Sequence, residues 1–340
     1  MKKSILLLFL VNAFLWQCSP QKNYTKEEYD KALPRYIQSI QPEILKEHLY
    51  LFASDEFEGR NTGDEGQKKA AEYIRNFYIE NEIESPESPY VDNYFQHIPA
   101  KTYHRILKDT ENVLGFIPGT EKPGEVLVIS AHYDHVGVYD GEIYNGADDD
   151  GSGSVAILEI AKAFKKAEKD GFAPKRSILF LHVTAEEIGL LGSKFYTDIQ
   201  PVFPLENTIA NLNIDMIGRV DDAHLSDPNY VYLIGSDKLS SDLHTLSEQV
   251  NQKHIHLNLD YTFNAENDPN RYYYRSDHYN FAKNNIPVIF YFNGVHEDYH
   301  KPTDTPDKIN YEILSRRAQL VFATAWELAN AEKRPVVDKK

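Results

Sequence analysis

The sequence predicts an α/β fold, a mostly parallel mixed sheet sandwiched between helices. Four short apolar runs are bounded by turn-forming residues, and they are continuous rather than alternating, which is typical of strands covered on both faces. These runs are residues 125–131, 176–185, 207–214 and 286–292. A helix-like segment, residues 153–167, separates the first two runs. Such alternation of strands and helices favours a parallel sheet with helices on both sides.

The organisation of the 340-residue chain favours one main domain, because no internal repeat and no mid-chain linker interrupts it. We place this domain at residues 41–330, followed by a charged tail at residues 331–340. A helix is expected over residues 42–52. Apolar and aromatic side chains between Ala70 and Tyr78 recur at helical spacing and predict a second helix.

The first residues, "MKKSILLLFLVNAFLWQCSP", are typical of a secretory signal peptide, which we place at residues 1–17. Their apolar run of about 12 residues is too short to span a bilayer. Cys18, the only cysteine, follows this run as in bacterial lipoprotein signals, where the cysteine is lipidated. Gln17 departs from the small residue usual before that cysteine, so an ordinary signal peptide is the alternative.

These features predict an exported protein, a periplasmic or outer-membrane lipoprotein held to the membrane only through an N-terminal lipid. Residues 18–40 would be a polar tether. With one cysteine, no disulfide can form within the chain. The formal net charge of −16 argues against binding nucleic acid or anionic lipid through a basic surface.

Imidazole and carboxylate side chains follow each of the four predicted strands. They are His132; Asp148, Asp149 and Asp150; Glu186 and Glu187; Asp215; and His300. Ligands of open α/β sheets bind outside the carboxyl ends of the strands, so we expect these side chains to converge at one edge.

Each of these groups taken alone has an ordinary explanation: an aspartate that caps a helix, a solvated pair of glutamates, a structural histidine. Together, two histidines and at least three carboxylates are the ligands that zinc takes in catalytic sites. Two divalent ions would also offset the repulsion among adjacent carboxylates. The sequence lacks the His-Glu-x-x-His, Gly-x-Ser-x-Gly and phosphate-loop motifs of other hydrolase classes. A calcium site at the aspartate triplet alone is an alternative.

Seven segments resemble metallopeptidase family 28, the aminopeptidase Y type of two-zinc exopeptidase, over about residues 50–310. In chain order they are "SDEFEGRNTGDEGQKKAAEYI", "ISAHYDHVG", "NGADDDGSGSVAILEIAKAF", "FLHVTAEEIGLLGS", "NIDMIG", "YRSDHYNFAKNNIPVIFYF" and "DYHKPTDT". The resemblance implies a zinc-exopeptidase architecture and a hydrolase, a metallo-aminopeptidase, with two Zn²⁺ per chain and peptide substrates.

The resemblance also implies a set of metal ligands. His132 would bind one zinc, and Asp148 would bridge both ions. Asp149 would follow Asp148 through a strained peptide bond, of the kind that can be cis, and this bond would orient the bridging carboxylate. Glu187 would bind the first of the ions and Asp215 the second. His300 would complete the set.

Other side chains would assist these ligands. Glu186 would be the general base that takes a proton from the metal-activated water, and Asp134 would hydrogen-bond His132. Tyr273 would donate to the developing oxyanion, with Tyr272 and Tyr274 as alternatives. Asp150 would cap the following helix or be solvated. His135 and His296 would lie near the ligands, in an outer layer or at the surface.

Three other functions compete with a two-zinc aminopeptidase. A glutaminyl-peptide cyclase would use one zinc. A carboxypeptidase-type relative would use basic residues to recognise a C-terminal carboxylate, and Arg271 and Arg275 are candidates. A non-enzymatic binding protein would not need the full set of ligands and Glu186.

Overall fold

The computed structural model describes residues 24–339. The predictions for the signal peptide, for lipidation at Cys18 and for the first residues of the tether therefore fall outside the described residues. Between residues 24 and 339, no helix has the length and apolar character that crossing a bilayer requires.

Ten strands form within the described residues. They are β1 (Phe95–Ile98), β2 (Thr110–Ile117), β3 (Lys122–His132), β4 (Gly137–Tyr139), β5 (Glu142–Tyr144), β6 (Arg176–Val183), β7 (Thr208–Ile214), β8 (Tyr230–Ile234), β9 (Asn258–Asp260) and β10 (Val288–Phe292). Eight of them form one sheet in the order β1-β2-β6-β3-β7-β10-β8-β9, and β4 and β5 form a separate hairpin.

The centre of the sheet is parallel. Strands β6, β3, β7 and β10 are parallel neighbours, whereas β2 is antiparallel to β6 and β8 is antiparallel to β10. The four central strands are the four predicted apolar runs, and every residue of β6, β7 and β10 is buried. The predicted mixed, mostly parallel sheet is thereby confirmed.

Helices cover both faces of the sheet. They are α1 (Lys26–Ile37), α2 (Pro42–Phe52), α3 (Glu65–Glu80), α4 (Gly153–Lys169), α5 (Leu191–Asp198), α6 (Ser241–Val250), α7 (His278–Ala282) and α8 (Tyr311–Asn330). Successive residues of β3 point to opposite faces. Leu127 packs in the cluster that contains α1 to α4, α6 and α8. Val128 packs with Tyr196 of α5 and Phe281 of α7.

Helix α1 corrects the prediction of a polar tether over residues 18–40. Tyr29, Leu33 and Tyr36 are buried on one side of this helix. The side chain of Thr25 accepts a hydrogen bond from the backbone of Glu28 at its first turn. The charged residues between the buried positions make the segment polar on average, but the helical spacing of the apolar ones joins it to the core.

The predicted charged tail lies against the domain. The Asp338 carboxylate accepts a hydrogen bond from the backbone of Ser241 at 2.9 Å, and the buried guanidinium of Arg176 donates to the carbonyl of Ala331.

Candidate metal centre

The carboxyl ends of the central strands carry the predicted site residues. His132 is the last residue of β3, Asp215 directly follows β7, and Glu186 and Glu187 lie just beyond β6. The aspartate triplet lies between β5 and α4 in a turn that begins at Gly146, whose φ of 54° is left-handed. The sheet therefore brings side chains that are far apart in sequence to one edge, as the sequence predicts.

One group of candidate ligands surrounds the imidazole of His132. Its Nε2 atom lies 3.1 Å from Oδ1 of Asp149 and 3.7 Å from Oδ1 of Asp215. Ligands that bind one tetrahedral zinc at about 2.0–2.2 Å lie roughly 3.3–3.6 Å apart, close to these distances. These three buried side chains can therefore hold one cation.

A second group surrounds the imidazole of His300. Its Nε2 atom lies 3.0 Å from Oδ2 of Asp149 and 3.1 Å from Oε2 of Glu187. The two oxygens of the Asp149 carboxylate thus face two different groups of ligands. This arrangement fits a carboxylate that bridges two ions.

Asp148, the predicted bridge, does not lie in either group, so that prediction is wrong. Its Oδ1 atom accepts a hydrogen bond from the backbone of Gly218 at 2.7 Å, and its Oδ2 atom lies 3.1 Å from Nε2 of His296. Asp149, and not Asp148, has a carboxylate that faces both groups, and the cis peptide bond joins Asp149 to Asp150. Asp149 and Asp150 have non-helical backbone angles within the irregular turn Ala147–Ser152.

The pairing of the other ligands also differs from the prediction. Asp215 lies beside His132, and Glu187 lies beside His300. Glu187 would therefore bind the ion that His132 does not bind.

Asp150 is buried and caps α4. Its Oδ1 atom accepts hydrogen bonds from the backbones of Gly153 at 2.9 Å and Met216 at 3.0 Å. Of the two predicted roles of Asp150, the structure agrees with the helix cap and not with a solvated side chain. Because the three aspartates have separate partners, the triplet does not form a calcium site by itself.

Asp304 supports the triplet and was not identified from the sequence. Its carboxylate accepts hydrogen bonds from the backbones of Asp148, at 3.0 Å, and Asp149, at 3.2 Å. Burial, with a contribution from the Asp148 carboxylate, raises the pKa of Asp304 to about 6. Its position four residues after His300, in "HKPTDT", was the only sequence signal.

Asp134 contacts His132 mainly through its backbone. Nδ1 of His132 lies 3.1 Å from the Asp134 carbonyl oxygen and 3.8 Å from its carboxylate. The carboxylate instead accepts hydrogen bonds from the backbone of Glu186, at 3.1 Å, and from the hydroxyl of Thr62, at 3.0 Å. Asp134 therefore orients the imidazole and also positions the segment that carries Glu186.

His135 and His296 are both buried in the layer around the ligands. Nδ1 of His135 lies 2.7 Å from Oε1 of Glu187 and 3.8 Å from Oδ2 of Asp149. Among the described residues, neither ring nitrogen of His135 has a partner with hydrogen-bond geometry. A buried imidazole that has no hydrogen-bond partner and lies beside the candidate ligands indicates a site that binds a polar or charged group.

The buried guanidinium of Arg60 ties the loops of the site together. It donates to the carbonyl oxygens of Tyr133 at 2.8 Å, Asn145 at 2.7 Å, Gly146 at 2.9 Å and Phe52 at 3.0 Å. One side chain thus joins the end of α2, the segment after His132 and the turn before the aspartates. This arginine lies within "EGRNTG", where no sequence pattern marks it as part of the site.

The electrostatics of the site favour cations. Although burial lowers the pKa of His300, its contacts with Asp149 and Glu187 raise it to about 10. Burial raises the pKa of Glu186 well above its usual range, and the carboxylates of Glu187 and Asp215 raise it further against the opposing effect of His132. Bound divalent cations would relieve this crowding of negative charge.

Three of the candidate ligands, Asp149, Asp215 and His300, line one pocket together with several aromatic side chains. The lining residues are Asp149, Glu186, Asp215, Met216, Tyr272, Arg275, Phe290, Phe292, Val295, Tyr299 and His300. Tyr273, the predicted oxyanion donor, lines a different cavity with Lys238 and Arg271, so the structure does not support that role. The short helical turn Tyr272–Tyr274 directs consecutive rings to different sides. Tyr272, one of the predicted alternatives, is the one that lines the metal pocket.

Comparisons with known proteins agree with this geometry. The model of peptidase family M28 matches residues 112–325, more than half of the chain. Aminopeptidase YwaD from Bacillus subtilis is 29% identical over 238 residues, which cover 68% of this chain and 47% of that protein. The chain thus spans about half the length of the curated relatives it matches.

Two solved structures share the fold. LapA from Legionella pneumophila is 23% identical and superposes with a TM-score of 0.69 over 91% of this chain and 78% of that chain. A glutaminyl cyclase from Bacteroides thetaiotaomicron is 16% identical, with a TM-score of 0.63 over 86% of this chain and 99% of that chain. Since the fold is shared with a cyclase, the function has to be argued from the site.

Proposed function

Because the chain belongs to peptidase family M28, we propose that it is a two-zinc aminopeptidase that hydrolyses the N-terminal residues of peptides. The observation that carries this proposal is the Asp149 carboxylate, whose two oxygens face two separate groups of ligands at 3.1 and 3.0 Å. The aminopeptidase activity given for the Bacillus subtilis relative supports the same assignment.

The donor set fits zinc. His132, Asp149 and Asp215 would hold one ion, and His300, Asp149 and Glu187 the other, with imidazole nitrogen and carboxylate oxygen in each group. When bound, the two ions would lower the pKa of a water molecule and polarise the scissile carbonyl.

Glu186 is the proposed general base. It lines the pocket beside Asp149 and Asp215, yet it belongs to neither group of ligands. Its backbone is held by Asp134 at 3.1 Å, which fixes its position relative to His132. A carboxylate held there can take a proton from the attacking water and deliver it to the leaving amine.

Tyrosine hydroxyls at the pocket are the proposed donors to the developing oxyanion. Tyr299 stacks on the ring of His300 with 3.9 Å between centroids. Burial and the nearby carboxylates raise its pKa, so its hydroxyl stays protonated at neutral pH. Tyr272 lines the same pocket. Either hydroxyl can hydrogen-bond an oxyanion that forms beside the ions.

The test is Glu186→Gln, with the exposed Glu297→Gln as the matched control. Glu186→Gln should fold and bind two zinc ions per chain, while kcat on leucine p-nitroanilide falls on the order of 100-fold or more. Zinc is measured by mass spectrometry and folding by circular dichroism. A Glu186→Gln protein as active as the parent would refute the assignment of the base.

Metal content and product analysis separate the competing functions. One tightly bound zinc, with cyclisation of peptides that begin with glutamine, would indicate a cyclase. Cleavage of peptides with a blocked N-terminus but not of those with an amidated C-terminus would indicate a carboxypeptidase. Two zinc ions, with cleavage that requires a free N-terminus, support the aminopeptidase.

We also propose that the protein is exported and anchored through a lipid on Cys18. The proposal rests on the lysines, the apolar run and the cysteine of the first 18 residues. Full-length protein should partition with the membrane fraction, and Cys18→Ala should be recovered in the soluble exported fraction. Equal partitioning of the two proteins would contradict the anchor.

A further inference from the structure

The pocket of the candidate metal centre is lined by one arginine together with several carboxylates. Asp149, Glu186 and Asp215 line the pocket, and so does Arg275. Among the described lining residues, Arg275 is the only lysine or arginine. The pocket belongs to a chain whose net charge is −16, so a cation at this position has to be explained.

The guanidinium of Arg275 is free to bind a ligand. It lies over the ring of Tyr272, with Cζ 5.0 Å from the centroid. Within residues 24–339 its side chain makes no hydrogen bond or ion pair, in contrast to Arg60, which donates to four backbone carbonyls. Stacking on an aromatic face holds a guanidinium in place while its N–H groups remain available.

Arg275 lines the same pocket as the candidate metal ligands Asp149 and His300. The wall of this pocket also includes the buried apolar rings of Phe290 and Phe292. A ligand in the pocket can therefore reach both the guanidinium and the candidate metal centre.

We propose that Arg275 binds a carboxylate of the substrate and makes the enzyme selective for peptides with a carboxylate close to the scissile bond. This inference rests on the proposed peptidase function. A guanidinium can bind a carboxylate through two parallel hydrogen bonds. Arg275 would thereby offset the repulsion that the acidic residues of the pocket exert on an anionic substrate.

Two parts of a peptide can supply that carboxylate. One is the acidic side chain of the N-terminal residue. The other is the terminal α-carboxylate of a dipeptide, which lies one residue beyond the cleaved bond. Both present the same chemistry to Arg275, and matched substrates distinguish them.

The test compares kcat/KM for two substrate pairs, in the zinc-loaded parent and in Arg275→Gln. The first pair is glutamate and glutamine p-nitroanilide, and the second is Leu-Gly and Leu-Gly-amide. We expect the parent to prefer the carboxylate member of one pair, and Arg275→Gln to reduce that preference about 10-fold or more, as for a lost charge-assisted hydrogen bond. The pair that responds identifies the source of the carboxylate.

Arg271→Gln is the matched control, because Arg271 also lies over a tyrosine, Tyr274, but lines the other cavity. It should leave both preferences as in the parent. The proposal is overturned if Arg275→Gln changes neither preference, or if Arg271→Gln reduces one equally. If the zinc-loaded parent cleaves none of the four substrates, the proposed function itself fails, whereas cleavage without selectivity rejects the role of Arg275 alone.

Discussion

The Nδ1 atom of His135 lies 2.7 Å from the Oε1 atom of Glu187, while the other carboxylate oxygen of Glu187 faces His300 at 3.1 Å. Two atoms that bind one tetrahedral zinc are about 3.3 Å apart. The 2.7 Å pair is therefore a direct contact between imidazole and carboxylate, with angles outside hydrogen-bond geometry. This contact holds Oε1 of Glu187 and leaves Oε2 directed at His300.

Removal of this contact should weaken the binding of one ion more than that of the other. We predict that His135→Phe lowers the affinity for one of the two zinc ions about 10- to 100-fold, as for other outer-layer partners of metal ligands. Competition with a chromophoric chelator measures both affinities. His278→Phe, another buried imidazole, is the control and should bind both ions as the parent does. Unchanged binding of both ions by His135→Phe would exclude the positioning role.

The two neighbouring aspartates should respond differently to the loss of charge. Asp149→Asn removes a carboxylate shared by both groups of ligands, so we predict that neither ion remains bound after dialysis. Asp148→Asn leaves both groups intact but weakens contacts with Gly218 and His296, with an expected loss of about 1–3 kcal/mol of unfolding free energy. Zinc analysis and urea unfolding test both variants. Loss of both ions only in Asp148→Asn would restore Asp148 as the bridge.

The central strands could be predicted because both of their faces are buried, which produces continuous apolar runs such as β6 and β10. The outer strand β2 was missed because its buried residues include polar ones. Asn112, for example, donates from its side chain to Gln96 and to the carbonyl of Gly192. The polar side chains of such a strand are satisfied by hydrogen-bond partners far along the chain, and the local sequence pattern does not reveal those partners.

The composition of the metal centre was also predictable, because parallel strands end at one edge and that edge collects ligands. The register within the aspartate triplet was not. The register depends on two distant contacts. The backbone of Gly218 donates to the Asp148 carboxylate across 70 positions of sequence, and the backbone of Asp148 donates to the Asp304 carboxylate across 156 positions. Three identical residues in a row offer no local signal that distinguishes the proposed bridging ligand, the aspartate that supports the neighbouring loop and the aspartate that caps the helix.

Arg60 should be essential for the stability of the metal-site loops. Lysine retains the charge but not the planar fork that reaches four carbonyls from one side chain. We predict that Arg60→Lys lowers the unfolding free energy of the metal-free protein by about 3–5 kcal/mol, as for other disrupted buried charges. Urea unfolding in the presence of a chelator is the measurement. Arg75→Lys, which keeps a helical ion pair with Glu72, should cost less than about 1 kcal/mol, and equal losses in the two variants would contradict the prediction.

His182 should make the stability of the protein sensitive to acid independently of the metals. It is buried in β6, where its Nε2 atom lies 2.8 Å from the hydroxyl of Tyr78, and burial lowers its pKa to about 3. The pKa in the unfolded chain is about 6.5. The unfolded state therefore binds an additional proton between these values, so the stabilising contribution is complete above pH 6.5 and is lost as the pH falls towards 3. From about pH 7.5 to about pH 5 this amounts to roughly 2 kcal/mol.

His182→Gln keeps a partner for Tyr78 but does not titrate, so its loss of unfolding free energy on acidification should be smaller by about that amount. Urea unfolding of the metal-free parent and variant at the two pH values tests this, and an identical pH dependence would show that His182 is not held neutral in the folded protein.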